Sequence, residues 1–403
     1  MFISKSRFIN WTRCPMYFPM DLKHNPTGKD DIDAERERRA EMLEEMRDGA
    51  ESSGSAGEEE EEFDASPSAE LEALLPFYNR VEDEALKVAR KYFKGTFVAD
   101  SRDVHNQRLF EYELHGHTYR CYVDIYNETS DEINIIEVKA TTNSKYTDAK
   151  AGLLFSDKRG GTKYPLFVKE GNIWRLNALA STETDYAAKN YEAKKGLLLD
   201  RYSNYGKYPH DLAFQRYVIE HALRKAGDNR PVNFYLAGLN SEYVYDDTRD
   251  AEGNCVYNEN DGQEIITFLD LNEVTEAYQP IILREIAMLE SFISSPHDIT
   301  KKVPVGCFCA WGKNTECVFW KHCFQTLRNV PDYNSANKYL HSHMSFYKDH
   351  GIVGKYELIE PGKYHLLDVD EDWLSSENHK HQRRCCETHK EHIDEEKMQF
   401  WFD

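Results

Sequence analysis

The sequence contains no uninterrupted run of about 18 apolar residues, so no membrane-spanning helix is expected. Its start, MFISKSRFINWTRCP, also lacks the continuous apolar stretch of a secretory leader, which places the chain in the cytosol with no membrane partner. In that reducing compartment nine cysteines are expected as metal ligands or free thiols rather than disulfides. Basic residues are scarce, 50 Lys and Arg against 71 Asp and Glu for a formal charge of -21. Taken alone, that deficit opposes a polyanionic ligand, which draws mainly on Lys and Arg. Its location removes the objection: residues 30 to 72 hold 18 acidic and 4 basic side chains, leaving only -7 for the rest of the chain. Nucleic acid is therefore not excluded. No internal repeat is visible, and paired CxxC knuckles of the zinc-ribbon kind are absent.

What is present is enough apolar and aromatic sequence, 40% and 13% of 403 residues, for a sizeable core. Residues 1–23 combine aromatic and apolar side chains with Cys14-Pro15, a short helix ending in a turn. Residues 24–69 run from charged sequence into GAESSGSAGEEEEEFDASPS, which cannot bury apolar surface and reads as a disordered acidic insertion. From Leu71 to Phe93 the spacing of Leu74, Leu75, Tyr78, Val81, Ala85, Val88, Ala89 and Tyr92 predicts one helical face, closed by Gly95. RLFEYEL, TYRCYVDIY and INIIEVKA then predict an antiparallel meander, with the first turn at His115-Gly116. Residues 141–210 read as an insertion, LAFQRYVIEHALRKA as a helix, PVNFYLAGLN as a strand and residues 273 to 294 as a helix. The main domain is thus expected over 70–324, with an extension at 325–403 holding helical ANKYLHSHMSFYKDHG and a strand in KYHLLDVD.

In INIIEVKA a period of two places Ile133, Ile135, Glu137 and Lys139 on one face and Asn134, Ile136 and Val138 on the other. Asp124 ends the preceding run, so a meander brings its carboxylate beside Glu137. Two carboxylates with a neighbouring amine suit metal-assisted phosphodiester hydrolysis. Asp124, Glu137 and the Val138 carbonyl offer hard oxygen ligands for Mg²⁺ or Mn²⁺, and Lys139 can orient or deprotonate water. The bland alternative is a half-exposed strand with an ordinary salt bridge.

Cys307, Cys309, Cys317 and Cys323 fall within 17 residues, enough thiolate for zinc or most of an iron–sulfur cluster. The spacing is not that of a zinc ribbon, which favours iron and sulfur.

ISKSRFINWTRCP, VEDEALKVARKYF, YVDIY, IIEVKATT, DLAFQRYVIEHA, FYLAGLNSEYV and CVFWKHC, spread over most of residues 1 to 324, resemble the RecB-like nucleases of the PD-(D/E)xK type. They are most similar to a bacterial family in which such a module precedes a ribonuclease-H-like exonuclease module. The resemblance implies an α/β, restriction-endonuclease-like core with a central mixed sheet flanked by helices. It implies a metal-dependent nuclease acting on DNA, single-stranded ends favoured, with a helicase or a separate exonuclease module as partner; the chain stops at QFWFD without that second module. It assigns Gln215 to positioning the site, where the usual Tyr four residues later is Ile219 and Tyr217 stands nearby. It seeks a His or acidic metal ligand on the first long helix, where this chain offers Glu84, with Glu82 and Asp83 adjacent. It implies a structural [4Fe-4S] cluster held by Cys14, Cys309, Cys317 and Cys323, with Cys309 preferred over Cys307 because Gly306-Cys307-Phe308-Cys309 matches the family's approach.

Aromatic and basic residues in RYSNYGKYPHDLAFQRY can line a bound strand by stacking and phosphate contacts. His115 and His117 flank a turn and are assigned no role, and the His- and Cys-containing tail NHKHQRRCCETHKEH reads as a solvated basic helix. Two other functions are compatible with these residues: a non-catalytic nucleic-acid-binding scaffold, and a zinc or redox regulator.

Overall fold

The structure is a computed structural model that describes residues 1–24, 69–98, 108–148, 152–182, 184–309, 317–329, 358, 361–363, 366–391 and 398–399. The acidic tract, apart from its terminal residues 24 and 69, lies outside the described residues, as does ANKYLHSHMSFYKDHG. By its contacts the chain divides into two compact units, Met1–Thr12 with Asn25–Ser294, and Arg13–His24 with Ser295–Asp403. The second unit thus takes in the cysteine-bearing segment 309–323 together with Arg13–His24.

The first unit is mixed α/β. Its strands are β1 (Phe2–Ile3), β2 (Thr96–Val98), β3 (Arg108–Leu114), β4 (His117–Val123), β5 (Ile125–Glu128), β6 (Ile133–Thr142), β7 (Leu154–Ser156), β8 (Lys163–Pro165), β9 (Phe167–Glu170), β10 (Ile173–Leu176), β11 (Val232–Leu239) and β12 (Ile266–Asp270). A seven-stranded sheet runs in the order β2-β5-β6-β11-β12-β10-β9, with β6 parallel to β11 and β12 parallel to β10, the other neighbours antiparallel. A three-stranded sheet runs β1-β4-β3, and β7 pairs with β8.

The expected single meander is therefore not formed. Its first two runs pair as β3 and β4 across a tight turn, where His115 and Gly116 both take positive φ, 50° and 80°. The second run then breaks at Asp124, and its remainder crosses to the larger sheet as β5, antiparallel to β6. The cause is local: Asp124 Oδ2 accepts the Val138 N–H at 2.8 Å, so a side chain takes the place of the ladder partner and regular pairing stops there. Within residues 141–210, β9 and β10 add to one edge of the seven-stranded sheet.

Two helices matter most for the site. The helix predicted from Leu71 is α1 of the core layer, Ala69–Tyr92, and its Ala85, Val88 and Ala89 pack with Ile125, Ile136, Val138, Ala237 and Phe268. Gly95 (φ +112°) ends that layer because a side chain there would meet the Glu128 carbonyl. Helix α2, Lys207–Lys225, takes Pro209 in its first turn, where a missing N–H costs nothing. It stops at Gly227 (φ +82°), with Asp228 N–H donating to Leu223 O and Gly227 N–H to Arg224 O. A short helix at Lys5–Trp11 is capped by Ser4, whose side chain accepts from Arg7 N–H, and its Phe8 stacks on Phe214 of α2 at 4.4 Å.

The described residues of the second unit include helices at Tyr17–His24 and Glu377–Thr388 and a π-turn at Lys321–Thr326. KYHLLDVD forms a 3₁₀ turn at Leu366–Asp368 rather than the expected strand; its residues 364–365 lie outside the described residues. Among the described residues no helix is long and apolar enough to cross a membrane.

Candidate active site

Strand β6 is buried on both faces. Ile136 and Val138 pack toward α1, which leaves Glu137 and Lys139 on the opposite face, as the period of two requires. Pairing of Ile125 with Ile136 puts Asp124 across from Glu137 at the first position beyond the ladder. Backbone N–H and C=O of one strand residue project to the same side, so the Val138 carbonyl also faces the gap that β5 leaves at Asp124.

Glu137 is 1% exposed and held on both oxygens. Oε1 accepts from Lys5 Nζ at 2.7 Å and lies 3.0 Å from Lys139 Nζ, while Oε2 accepts from Gln215 Nε2 at 2.5 Å. Burial opposes its ionisation, but the charges of Lys139 and Lys5, with the hydrogen bonds from Lys5 and Gln215, outweigh it and hold the carboxyl below the usual range. Asp124 is in the opposite state. Burial, then the charges of Glu137 and Glu82, raise its carboxyl well above the ordinary value, with Lys139 and Lys5 only partly offsetting them. A buried carboxylate pair with one member so raised accepts either a proton or a cation.

The structure therefore brings Asp124, Glu137, Val138, Lys139 and Gln215 together. Glu84 does not join them. Its Oε1 takes Lys87 Nζ at 2.6 Å and its charge acts on Tyr243, while the α1 carboxylate acting on Asp124 is Glu82. Tyr217 is also turned elsewhere, edge-on to Tyr112 at 5.9 Å and against His221 at 4.3 Å.

Lys5 is the residue that sequence reasoning missed. It stands 132 positions from Glu137 and reaches it as the first residue of a Ser-capped helix. No local signal marked it, since Lys5 lies among the polar residues Ser4, Ser6 and Arg7.

Asp124 and Glu137 with the Val138 carbonyl offer donors suited to a hard divalent cation, because all three are oxygens and a cation would favour the ionised form of Asp124 that burial and Glu137 disfavour. Among the described residues no three His, Cys, Asp or Glu side chains form a group placed to hold a metal ion, whether at these carboxylates or at the cysteines.

The four cysteines lie in the second unit. Cys14, Cys309, Cys317 and Cys323 line one pocket with Tyr17, Val303, Phe308, Phe319, Trp320 and Phe324. The loop is tied by Cys317 N–H to Cys309 O at 2.7 Å, by Arg13 to Phe308 O, and by Arg328 Nη1 to Cys323 O at 3.0 Å. Burial and the neighbouring thiols push Cys309 and Cys323 up to about 12, and Cys14 rises for the same reasons. Four sulfurs on an apolar wall are the donor type of an iron–sulfur cluster, but as placed here they do not form a group that closes on a metal ion. The side chain of Cys307 and residues 310–316 lie outside the described residues. Comparison with family models and with curated proteins finds no match to this chain.

Proposed function

We propose that the chain is a metal-dependent nuclease of restriction-endonuclease-like fold that hydrolyses DNA phosphodiesters, with single-stranded ends preferred. One observation carries the proposal: Asp124 and Glu137 stand in register at a break in the sheet, with Lys139 on the same strand. Asp124, Glu137 and the Val138 carbonyl would hold Mg²⁺ or Mn²⁺, which when bound supplies a polarised phosphate and an acidified water. Gln215 fixes the rotamer of Glu137. Lys139 carries a proton-bearing amine against Glu137 and is the residue suited to orient water or offset phosphate charge. The resemblance to RecB-like nucleases, with Cys14, Cys309, Cys317 and Cys323 as ligands of a structural [4Fe-4S] cluster, supports the same function.

A non-catalytic DNA-binding role is the second reading, favoured by Glu137 having both oxygens already engaged. The two are separated by incubating anaerobically purified protein with end-labelled DNA and Mn²⁺. Cutting by wild type that is lost in Lys139→Ala, with about four irons per chain retained in both, is the expected result. Binding without cutting on single- or double-stranded DNA would leave the scaffold role.

A further inference from the structure

Where the core helix α1 gives way to strand β2, the surface opens into a cleft of about 490 Å³ lined by Arg90, Lys91, Phe93, Lys94, Gly95 and Phe97. Half of that lining is cationic, in a chain of formal charge -21. Lys91 is accounted for, because its Nζ donates to both oxygens of the buried Glu264, at 2.7 and 2.9 Å. Arg90 and Lys94 are different. Both are exposed, and among the described residues neither side chain has a hydrogen bond or an ion pair.

The last turn of a helix attracts cations on its own account, since its unpaired carbonyls carry about half a negative charge. Two unpaired cations exceed that. Glu259 also reaches this end of α1, its charge acting on Tyr92, and with both counted the balance at the cleft is still positive. The Glu128 side chain does not enter the balance. Alternation along β5 puts it on the sheet face opposite Asn127 and α1, where it meets Tyr126 and Arg230.

Backbone acceptors are withdrawn from the same wall. Asn127, fully buried, donates from Nδ2 to the carbonyls of Lys94 and Thr96 at 3.0 and 3.3 Å, and its own Oδ1 accepts from Asn134. Gly95 packs so closely on the Glu128 carbonyl that no side chain fits between them. The turn that carries Lys94 is therefore fixed, with its carbonyls engaged by the sheet. Below the cations the cleft is aromatic: Phe93 packs edge-on to Tyr235 and Phe268, and Phe97 joins the same core while part of its surface stays open. A bare phosphate would use the cations and leave the ring uncovered. A nucleotide uses both.

We propose that this cleft binds a nucleotide unit, its phosphate on Arg90 and Lys94 and its base against Phe97. The unit has the same chemistry as a free nucleoside monophosphate or as part of a single strand. The cleft shares no residue with the Asp124 and Glu137 site, and its occupancy does not depend on the nuclease function.

The full chain is titrated in EDTA with two probes. Radiolabelled dAMP and dTMP are followed by equilibrium dialysis, and a fluorescein-labelled single-stranded oligonucleotide of about 15 nucleotides by anisotropy over a range of salt. Arg90→Gln with Lys94→Gln is expected to weaken binding by at least about tenfold and, for the strand, to make the log–log salt slope shallower by about 0.7, one phosphate's share. Arg90→Lys with Lys94→Arg keeps both charges and is expected to recover binding to within about threefold, which excludes misfolding as the cause of the loss. Phe97→Leu keeps the core apolar and is expected to weaken binding by about fivefold or more through lost stacking. Lys158→Gln with Arg159→Gln makes the same charge change on the exposed β7–β8 turn and is expected to alter binding by no more than about twofold. Loss confined to the mononucleotides identifies a free nucleotide as the ligand, and loss confined to the oligonucleotide identifies a strand. The cleft is overturned as a binding site if wild type binds neither probe, if the glutamine variant binds both unchanged, if the charge-keeping variant fails to recover, or if the Lys158 and Arg159 variant loses as much. Unaltered binding in Phe97→Leu would overturn the nucleotide in favour of a bare anion.

Discussion

Glu137 is a carboxylate in apolar surroundings whose ionised form depends on two ammonium groups from distant parts of the first unit. Removing one partner of a buried ion pair usually costs about 3–5 kcal/mol, because the other charge is left without compensation. Here Lys139 remains at 3.0 Å when Lys5 is lost, so Lys5→Met is expected to cost less, roughly 1–3 kcal/mol. In a Glu137→Gln background Lys5 loses its hydrogen-bonded carboxylate and keeps only its weaker attraction to Asp124, so the same change is expected to cost less. The coupling, read from urea unfolding of the two single variants and the double, is expected at about 1–3 kcal/mol. Additive effects would mean that Lys5 contributes packing alone.

At the scale of elements, a second buried network ties the N-terminal helix to α2. Arg201 donates to Thr12 Oγ1 at 2.8 Å and to Glu285 Oε1 at 3.0 Å, and His210 Nε2 meets Glu285 Oε2 at 2.7 Å. Burial, then the charge of Arg201, lowers His210 below its ordinary value of 6.5. For Glu285 burial raises the carboxyl, but His210 and Arg201 outweigh it and the net shift is downward. Both groups bind protons more readily when unfolded, so the stability they contribute is complete above about pH 6.5 and is lost as pH falls below it. His210→Gln keeps an amide donor for Glu285 and cannot take up a proton. It is expected to reduce the loss of stability between pH 7.5 and pH 5 by roughly 1 kcal/mol, measured by urea midpoints at both values. An unchanged pH profile would assign the acid sensitivity to other groups.

Elements are also where local sequence pattern and tertiary context part company. The period of two in INIIEVKA separates Glu137 and Lys139 from Val138, and helical spacing marks the α1 face, because both patterns are local consequences of backbone geometry. The cross-strand position of Asp124 follows from a short hairpin. The division of the run TYRCYVDIY between two sheets was not legible, since it turns on one side chain replacing one ladder bond. Lys5 was not legible either, because its partner lies 132 residues away and nothing local marks a buried lysine as paired. For the acidic residues of α1 the helix itself was clear, but whether Glu82 or Glu84 acts on Asp124 depends on helix rotation against the sheet, which spacing alone does not determine.

Over the whole chain, most of the acidic excess is concentrated in one tract. Residues 30 to 72 carry 18 acidic and 4 basic side chains, and Glu58, Glu59, Glu60, Glu61 and Glu62 form the densest run. Long-range repulsion from such a run slows the approach of a nucleic-acid strand at low ionic strength and is screened beyond about 10 Å at 0.1 M salt. Replacing those five glutamates by glutamine changes the formal charge from -21 to -16 without touching any residue of the carboxylate site. The variant is expected to bind a single-stranded oligonucleotide about 2- to 10-fold more tightly near 0.05 M salt, mainly through a faster on-rate. Near 0.5 M salt, where the screening length is only a few ångströms, its affinity is expected to match wild type. Stopped-flow association at the two salt concentrations reads this directly. A gain that persists at high salt would instead mean that the glutamates compete with the strand at short range, and the tract would then be a built-in inhibitor rather than a diffuse field.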